Sequence, residues 1–119
     1  MMLDWTEYQT QLSKRMTEIA RANPDIMRGY RGLSDAGIKT DLLGAKTREL
    51  IALAVGVTRQ CDGCIITHTD AAIKAGASRE EIVEALSVTI AVNAGAALVF
   101  SSRVMDAFDA VKTAAAPQE

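Results

Sequence analysis

Apolar residues recur at intervals of three and four along most of the chain, the spacing that gathers them on one side of an α-helix. Over residues 4–22 they fall at Trp5, Tyr8, Leu12, Met16, Ile19 and Ala20, with Pro24 following as a stop, so a first amphipathic helix is expected there. Asn23 offers a capping side chain and Pro24 a first-turn proline for a second helix, from residue 25 to about 34, with Gly37 as its end. Residues 38–44 then read as a connector. The segment 47–57 is rich in helix formers and carries Arg48 and Glu49 on one charged face, which predicts a third helix ending near Arg59 or Gln60.

A fourth helix is expected over 61–75, opening at a pair of cysteines and closed by Gly76. Ser78-Arg79-Glu80-Glu81 has the form of a capping box, in which the serine hydroxyl accepts from the Glu81 amide and the Glu81 carboxylate accepts from the Ser78 amide. The fifth helix therefore begins at Arg79. Its apolar pattern runs through Ile82, Val83, Leu86, Ile90 and Val92 to Asn93-Ala94-Gly95, where a break would leave 96–112 as a sixth helix. The β-branched run Val88-Thr89-Ile90 lies inside a helical period without turn signals around it, so no strand is predicted. The expected fold is all-α, a single domain of about six helices over 1–119, with a frayed tail at Ala114-Ala115-Ala116-Pro117-Gln118-Glu119.

Composition narrows the possible partners. A chain of 119 residues with 24% charged and 49% hydrophobic residues has the usage of one ordinary globular domain. A net charge of −2 gives no basic field for phosphates, and Trp5, Tyr8, Tyr30, Phe100 and Phe108 do not interleave with Lys or Arg, so nucleic acid is not an expected partner. The amino terminus mixes charges into its apolar pattern and does not read as a secretory signal, which points to the cytoplasm. The most apolar stretch, 88–100, is interrupted by Asn93 and falls short of the roughly 20 residues of a membrane helix, so no membrane is expected and the stretch reads as a buried helix. Because it is apolar nearly all round, one chain of this size would struggle to cover it, and the small residues Gly95, Ala96 and Ala97 would admit a neighbouring subunit's helix.

The candidate chemistry is concentrated in eight residues. The chain has two cysteines and one histidine, and they stand together in Cys61-Asp62-Gly63-Cys64-Ile65-Ile66-Thr67-His68. Residues three apart at a helix start share a face, close enough for the Cα separations of about 4.4–6.8 Å that a disulfide needs. Free amides and the partial positive charge at a helix N-terminus favour a thiolate, which is the reactive form. His68 follows Cys64 by four residues, one turn along the same helix, where an imidazole can take the thiol proton. Two thiols and one imidazole on a single turn form a cramped, one-sided ligand set for zinc, so a redox pair is favoured over a metal site and no cofactor is called for. The competing plain readings are buried cysteines acting as small apolar residues and a surface histidine.

Glu49, then Cys61-x-x-Cys64-x-x-x-His68, then Ala75-Gly76-Ala77-Ser78-x-Glu80-Glu81-Ile82 resemble the alkylhydroperoxidase D (AhpD)-like core of the carboxymuconolactone decarboxylase superfamily, over about residues 46–100. The resemblance implies a thiol-dependent peroxidase or disulfide oxidoreductase in which Glu49, Cys61, Cys64 and His68 form a proton-relay site. It implies that Cys64 attacks a small hydroperoxide and Cys61 resolves the product to a disulfide, whereas thioredoxin-like CxxC chemistry would start at the first cysteine. An external thiol or dithiol reductant is implied as the partner that resets the pair. The superfamily also contains lactone decarboxylases, which generally lack the dithiol. The family's characterised peroxidase is longer, with two related helical halves, and short single-copy members resemble homo-oligomers, commonly trimers or hexamers. A redox-sensing oligomer without turnover, or a decarboxylase-like enzyme using His68 as acid or base, are the alternative expectations.

Overall fold

The structure is a computed structural model and describes residues 1–117; Gln118 and Glu119 of the expected frayed tail lie outside the described residues. Five helices occur in the order α1 Trp5–Ala22, α2 Pro24–Thr40, α3 Ala45–Thr58, α4 Asp62–Lys74 and α5 Arg79–Ala115, and no strand occurs among the described residues. The all-α expectation holds, with one helix fewer than expected.

The helix starts follow from local chemistry. The Asp4 carboxylate accepts from the Glu7 amide at 3.0 Å to cap α1. Asn23 ends α1 and caps α2 through the Asp25 amide, with Pro24 in the first turn, where its missing N–H costs nothing. The capping box of α5 is complete, with Ser78 Oγ accepting from the Glu81 amide and Glu81 Oε1 from the Ser78 amide, both at 3.0 Å.

Three boundaries differ from the sequence expectation. Helix α2 runs through Ser34 and Gly37 to Thr40, because its stop is Asp41, which adopts the left-handed conformation (φ 47°) and donates its amide to the Gly37 carbonyl. A short acidic side chain tolerates that conformation better than most. The Asp41 carboxylate is then held by Arg48 of α3 at 2.5 Å, which shortens the connector to a tight link ending at Gly44 (φ 79°), the N-cap of α3. Third, α5 does not break at Gly95. A glycine inside a helix costs only about 1 kcal/mol relative to alanine, and Asn93 turns its polar end to use, its amide donating to Thr89 O at 2.8 Å and to Thr58 Oγ1 of α3 at 2.9 Å. The sixth helix is thus the second half of α5, and Ala114 and Ala115 of the tail belong to it.

Helix α1 packs with α2, and α3 with α4. Helix α1 also packs on α4, and α5 packs on α3. The core is small: Leu53 and Gly56 of α3, Ala72 of α4 and Thr89 of α5 are the buried residues among those described. The molecule measures 68 × 39 × 37 Å with a radius of gyration of 20.9 Å, against about 13–14 Å for a compact domain of this length. Residues 88–100, expected to be buried, are largely exposed, Ile90, Leu98 and Phe100 among them. The continuous α5 is long and apolar enough, by length and composition alone, to cross a membrane, although 88–100 by itself is not.

One ion pair gives the fold a titratable contact. The Lys46 ammonium of α3 lies 2.8 Å from the Glu81 carboxylate, and that contact, with the Ser78 amide, holds the Glu81 carboxyl below its ordinary value of 4.5. A carboxyl depressed on folding stabilises the folded state fully above its unfolded value, and the gain is lost as pH falls through the lower, folded value. Glu81→Gln keeps an acceptor for the Ser78 amide but removes the charge. The thermal midpoint of this variant is expected to lie slightly below wild type near neutrality, with the gap closing as pH drops below 4.5; a gap independent of pH would contradict the assignment.

Candidate functional site

The turn between α3 and α4 places the first cysteine. Helix α3 ends in a Schellman motif: Gln60 is left-handed (φ 52°), its amide donates to Val57 O, and the Cys61 amide donates to Gly56 O, both at 3.0 Å. Cys61 is at once the last residue of that motif and the N-cap of α4, its Sγ accepting from the Cys64 amide at 3.1 Å. The pair is disulfide-bonded, with Cα atoms 5.2 Å apart, inside the range such bonds require. Both cysteines are half-buried at the open end of the helix, where unpaired amides favour a sulfur anion once the bond is reduced.

Glu49 and His68 meet although 19 positions separate them. The packing of α3 on α4 brings His68 Nδ1 to 2.7 Å from Glu49 Oε2, with side chains 29% and 26% exposed. In the neutral imidazole Nδ1–H donates to the carboxylate, leaving Nε2 as the proton acceptor. Of the four candidate residues, Glu49 and His68 are hydrogen-bonded, Cys61 and Cys64 are bonded, and Cys61, Cys64 and His68 line one cleft.

That cleft has a volume of about 490 Å³. Leu12, Met16 and Ile19 of α1 and Ile26, Met27 and Tyr30 of α2 form one wall, and Cys61, Gly63, Cys64, Thr67 and His68 form the other. Apolar residues of α1 and α2 therefore supply an apolar lining to the sulfur pair. A larger groove of about 750 Å³ lies between the amino terminus and α4, lined by Trp5, Ile65 and Ile66 among others, but it contains neither cysteine nor His68.

Two glycines at the site escaped the sequence reading. Gly56 is buried, and a β-carbon there would lie 2.9 Å from the Cys64 β-carbon, closer than two such atoms approach. Since its carbonyl also accepts the Cys61 amide, Gly56 touches both cysteines. A β-carbon on Gly63, between the cysteines, would lie 3.0 Å from Leu12 Cδ2, so its absence lets α1 close over the pair. A helix-interior glycine such as Gly56, in a run of helix formers, was the available signal.

Fold and site together define an all-α protein with a CxxC pair at a helix start, backed by a carboxylate–imidazole pair and facing an apolar cleft. The chain belongs to the carboxymuconolactone decarboxylase family, which it matches over residues 24–113 and to whose superfamily the AhpD-like proteins belong. It is 43% identical over 112 residues to an uncharacterized protein of Haemophilus influenzae, covering 94% of this chain and 99% of that one. It is 34% identical over 109 residues to an uncharacterized protein of Cupriavidus necator, covering 86% and 96%. In three dimensions it resembles the crystal structure of an apo carboxymuconolactone decarboxylase family protein from Legionella pneumophila, with a TM-score of 0.71, 30% identity, and coverage of 88% of this chain and 94% of that one.

Proposed function

We propose that this protein is a thiol-dependent peroxidase that reduces small organic hydroperoxides through the Cys61–Cys64 pair. The observation that carries the reading is the disulfide at the start of α4, lining an apolar cleft with His68, whose imidazole is hydrogen-bonded to Glu49. In the reduced protein the Cys64 thiolate attacks a hydroperoxide oxygen. The S–O bond forms as the O–O bond breaks, sulfur gives up two electrons, and the departing alkoxide takes a proton and leaves as an alcohol. The Cys61 thiol then attacks the sulfenic sulfur, the disulfide forms and water departs. An external dithiol returns two electrons and two protons. This need for a reductant fits the cytoplasm, where thiols are kept reduced.

His68 takes the Cys64 proton and delivers one to the leaving oxygen, while Glu49 fixes the ring's tautomer and stabilises the imidazolium that forms between those steps. Glu49→Gln keeps an acceptor for Nδ1 but lacks the charge. It is expected to lower kcat/KM about 10- to 100-fold and to change its pH dependence while leaving the melting temperature near wild type. An unchanged pH profile would remove Glu49 from the relay.

The reading is tested by following cumene hydroperoxide with excess dithiothreitol, after subtracting the uncatalysed reaction. Many equivalents consumed per subunit is the expected result. One equivalent followed by arrest would leave a redox sensor, and lactone decarboxylation persisting in a Cys61→Ser/Cys64→Ser variant would leave a decarboxylase.

A further inference from the structure

A threonine inside a helix commonly returns its hydroxyl to the carbonyl one turn back. Thr10, Thr17, Thr58 and Thr89 do so here, each to the carbonyl four residues earlier at 2.9–3.1 Å. Thr67 of α4, with Gly63 at that position, makes no such bond among the described residues. Its exposed side chain instead lines the cleft beside Cys64 and His68. Cys64, Thr67 and His68 stand at i, i+3 and i+4 of α4, so they share one face, with Thr67 and His68 side by side one turn beyond the sulfur. Thr67 carries the only hydroxyl on this wall; the cleft's other hydroxyl, on Tyr30, belongs to α2 across from it.

The attack of sulfur on a hydroperoxide needs polar groups at that level. Cys64 attacks the terminal oxygen along the line of the O–O bond, so the leaving oxygen lies one bond beyond an atom that approaches to about 3–3.5 Å from the sulfur. Side chains one helical turn apart are separated by about 5–6 Å. With His68 delivering the proton to the leaving oxygen, the O–O bond runs along α4 and that oxygen comes to the level of residues 67 and 68. As the bond breaks, the oxygen takes up negative charge in a cleft whose opposite wall is almost wholly apolar. The substrate's organic group displaces water there, and a donor aimed at the developing charge stabilises it more than it would in bulk water. His68 is one such donor, its other nitrogen held by Glu49. Thr67 is the side chain of this wall that can supply a second.

The geometry points to Thr67 as a further catalytic residue of the proposed reaction, its hydroxyl donating a hydrogen bond to the departing oxygen beside the His68 imidazolium. The inference rests on the hydroperoxide reading and leaves its balance unchanged. The S–O bond forms as the O–O bond breaks, the proton that completes the alcohol comes from His68, and Thr67 keeps its own proton. It concerns the first oxidation step alone, so it holds whether the protein turns over or stops after one equivalent.

Single-turnover oxidation of the reduced full chain, by cumene hydroperoxide and separately by peracetic acid, tests it. A carboxylate leaves far more readily than an alkoxide and needs less help. Thr67→Val, which matches threonine in shape but lacks the hydroxyl, is expected to slow oxidation by cumene hydroperoxide about 10- to 100-fold and oxidation by peracetic acid about threefold or less. Thr67→Ser, which keeps the hydroxyl, is expected to recover most of the loss with cumene hydroperoxide. Should Thr67→Val fail to fold, Thr67→Ala supplies the same comparison, alanine being the best helix former. Equal slowing with both oxidants, no slowing with cumene hydroperoxide, or no recovery in Thr67→Ser would each overturn the inference and leave the hydroperoxide reading in place. A wild-type pair that cumene hydroperoxide oxidises no faster than free dithiothreitol would overturn both.

Discussion

Cys64→Ser is expected to lower hydroperoxide consumption about a thousandfold or more, because a serine hydroxyl at neutral pH is neither ionised nor a soft nucleophile toward peroxide oxygen. Folding should survive the change, since Cys64 is half-buried and serine is nearly its equal in size. Cys61→Ser is expected to behave differently. Its first equivalent of hydroperoxide is consumed at a rate near wild type, and the reaction then stops at the Cys64 sulfenic acid for want of a resolving thiol. Single-turnover mixing separates the two variants: a burst in Cys61→Ser and none in Cys64→Ser is the predicted pattern. The reverse pattern would assign the attack to Cys61, as in thioredoxin-like chemistry.

The second large effect is expected at Gly56, which lies outside the four-residue site. Alanine is ordinarily favoured over glycine inside a helix by about 1 kcal/mol. At Gly56 the added β-carbon would meet the Cys64 β-carbon at 2.9 Å. Neither atom sits at the end of a flexible side chain, so α3 and α4 must move apart, at an overpacking cost of about 1–3 kcal/mol. The clash outweighs the propensity gain, and Gly56→Ala should melt below wild type. Gly32→Ala in α2, with nothing within 4 Å of the new atom, should melt above it. Two glycine-to-alanine changes of opposite sign isolate the contact from helix propensity. Because the added β-carbon presses on Cys64 itself, Gly56→Ala should shift the reduction potential of the disulfide as well, measured against a glutathione buffer. A stabilised variant with an unchanged potential would show that the close approach has no bearing on the pair.

What could be read in advance, and what could not, divides along a physical line. While the Asp4 cap of α1 was not singled out, caps that rest on contacts between neighbours in sequence were legible at Asn23 and in the box from Ser78 to Glu81, which act through side chains two or three residues from their partners. So was the cysteine and histidine cluster, because helical spacing alone places Cys61, Cys64 and His68 together. The helix end at Asp41 was harder, since Asp41 takes a left-handed conformation usually left to glycine, with no composition signal to announce it, whereas the end of α3 near Arg59 and Gln60 was anticipated. At Gly76, where glycine does the same work at the end of α4, the stop was anticipated. Gly95 misled in the other direction: a glycine not driven to positive φ is only a weak point in a helix, and α5 passes through it.

The Glu49–His68 contact and the role of Gly56 both depend on how α3 lies against α4, which no local pattern encodes. Glu49 came into view only through the family resemblance, and Gly56 did not come into view at all. The cleft follows the same rule. The apolar stripe of α1 was legible as a stripe, but which residues of α1 and α2 face the sulfur pair became visible only in the packed structure.

In the proposed reaction Cys64 is the sulfur that a hydroperoxide oxidises. The most direct measurement treats reduced Cys61→Ser and reduced Cys64→Ser with one equivalent of cumene hydroperoxide in the presence of a sulfenate-trapping carbon nucleophile, followed by peptide mass spectrometry. A stoichiometric adduct on Cys64 in the first variant and little or none on Cys61 in the second is the expected result. An adduct confined to Cys61, or none on either cysteine, would contradict it.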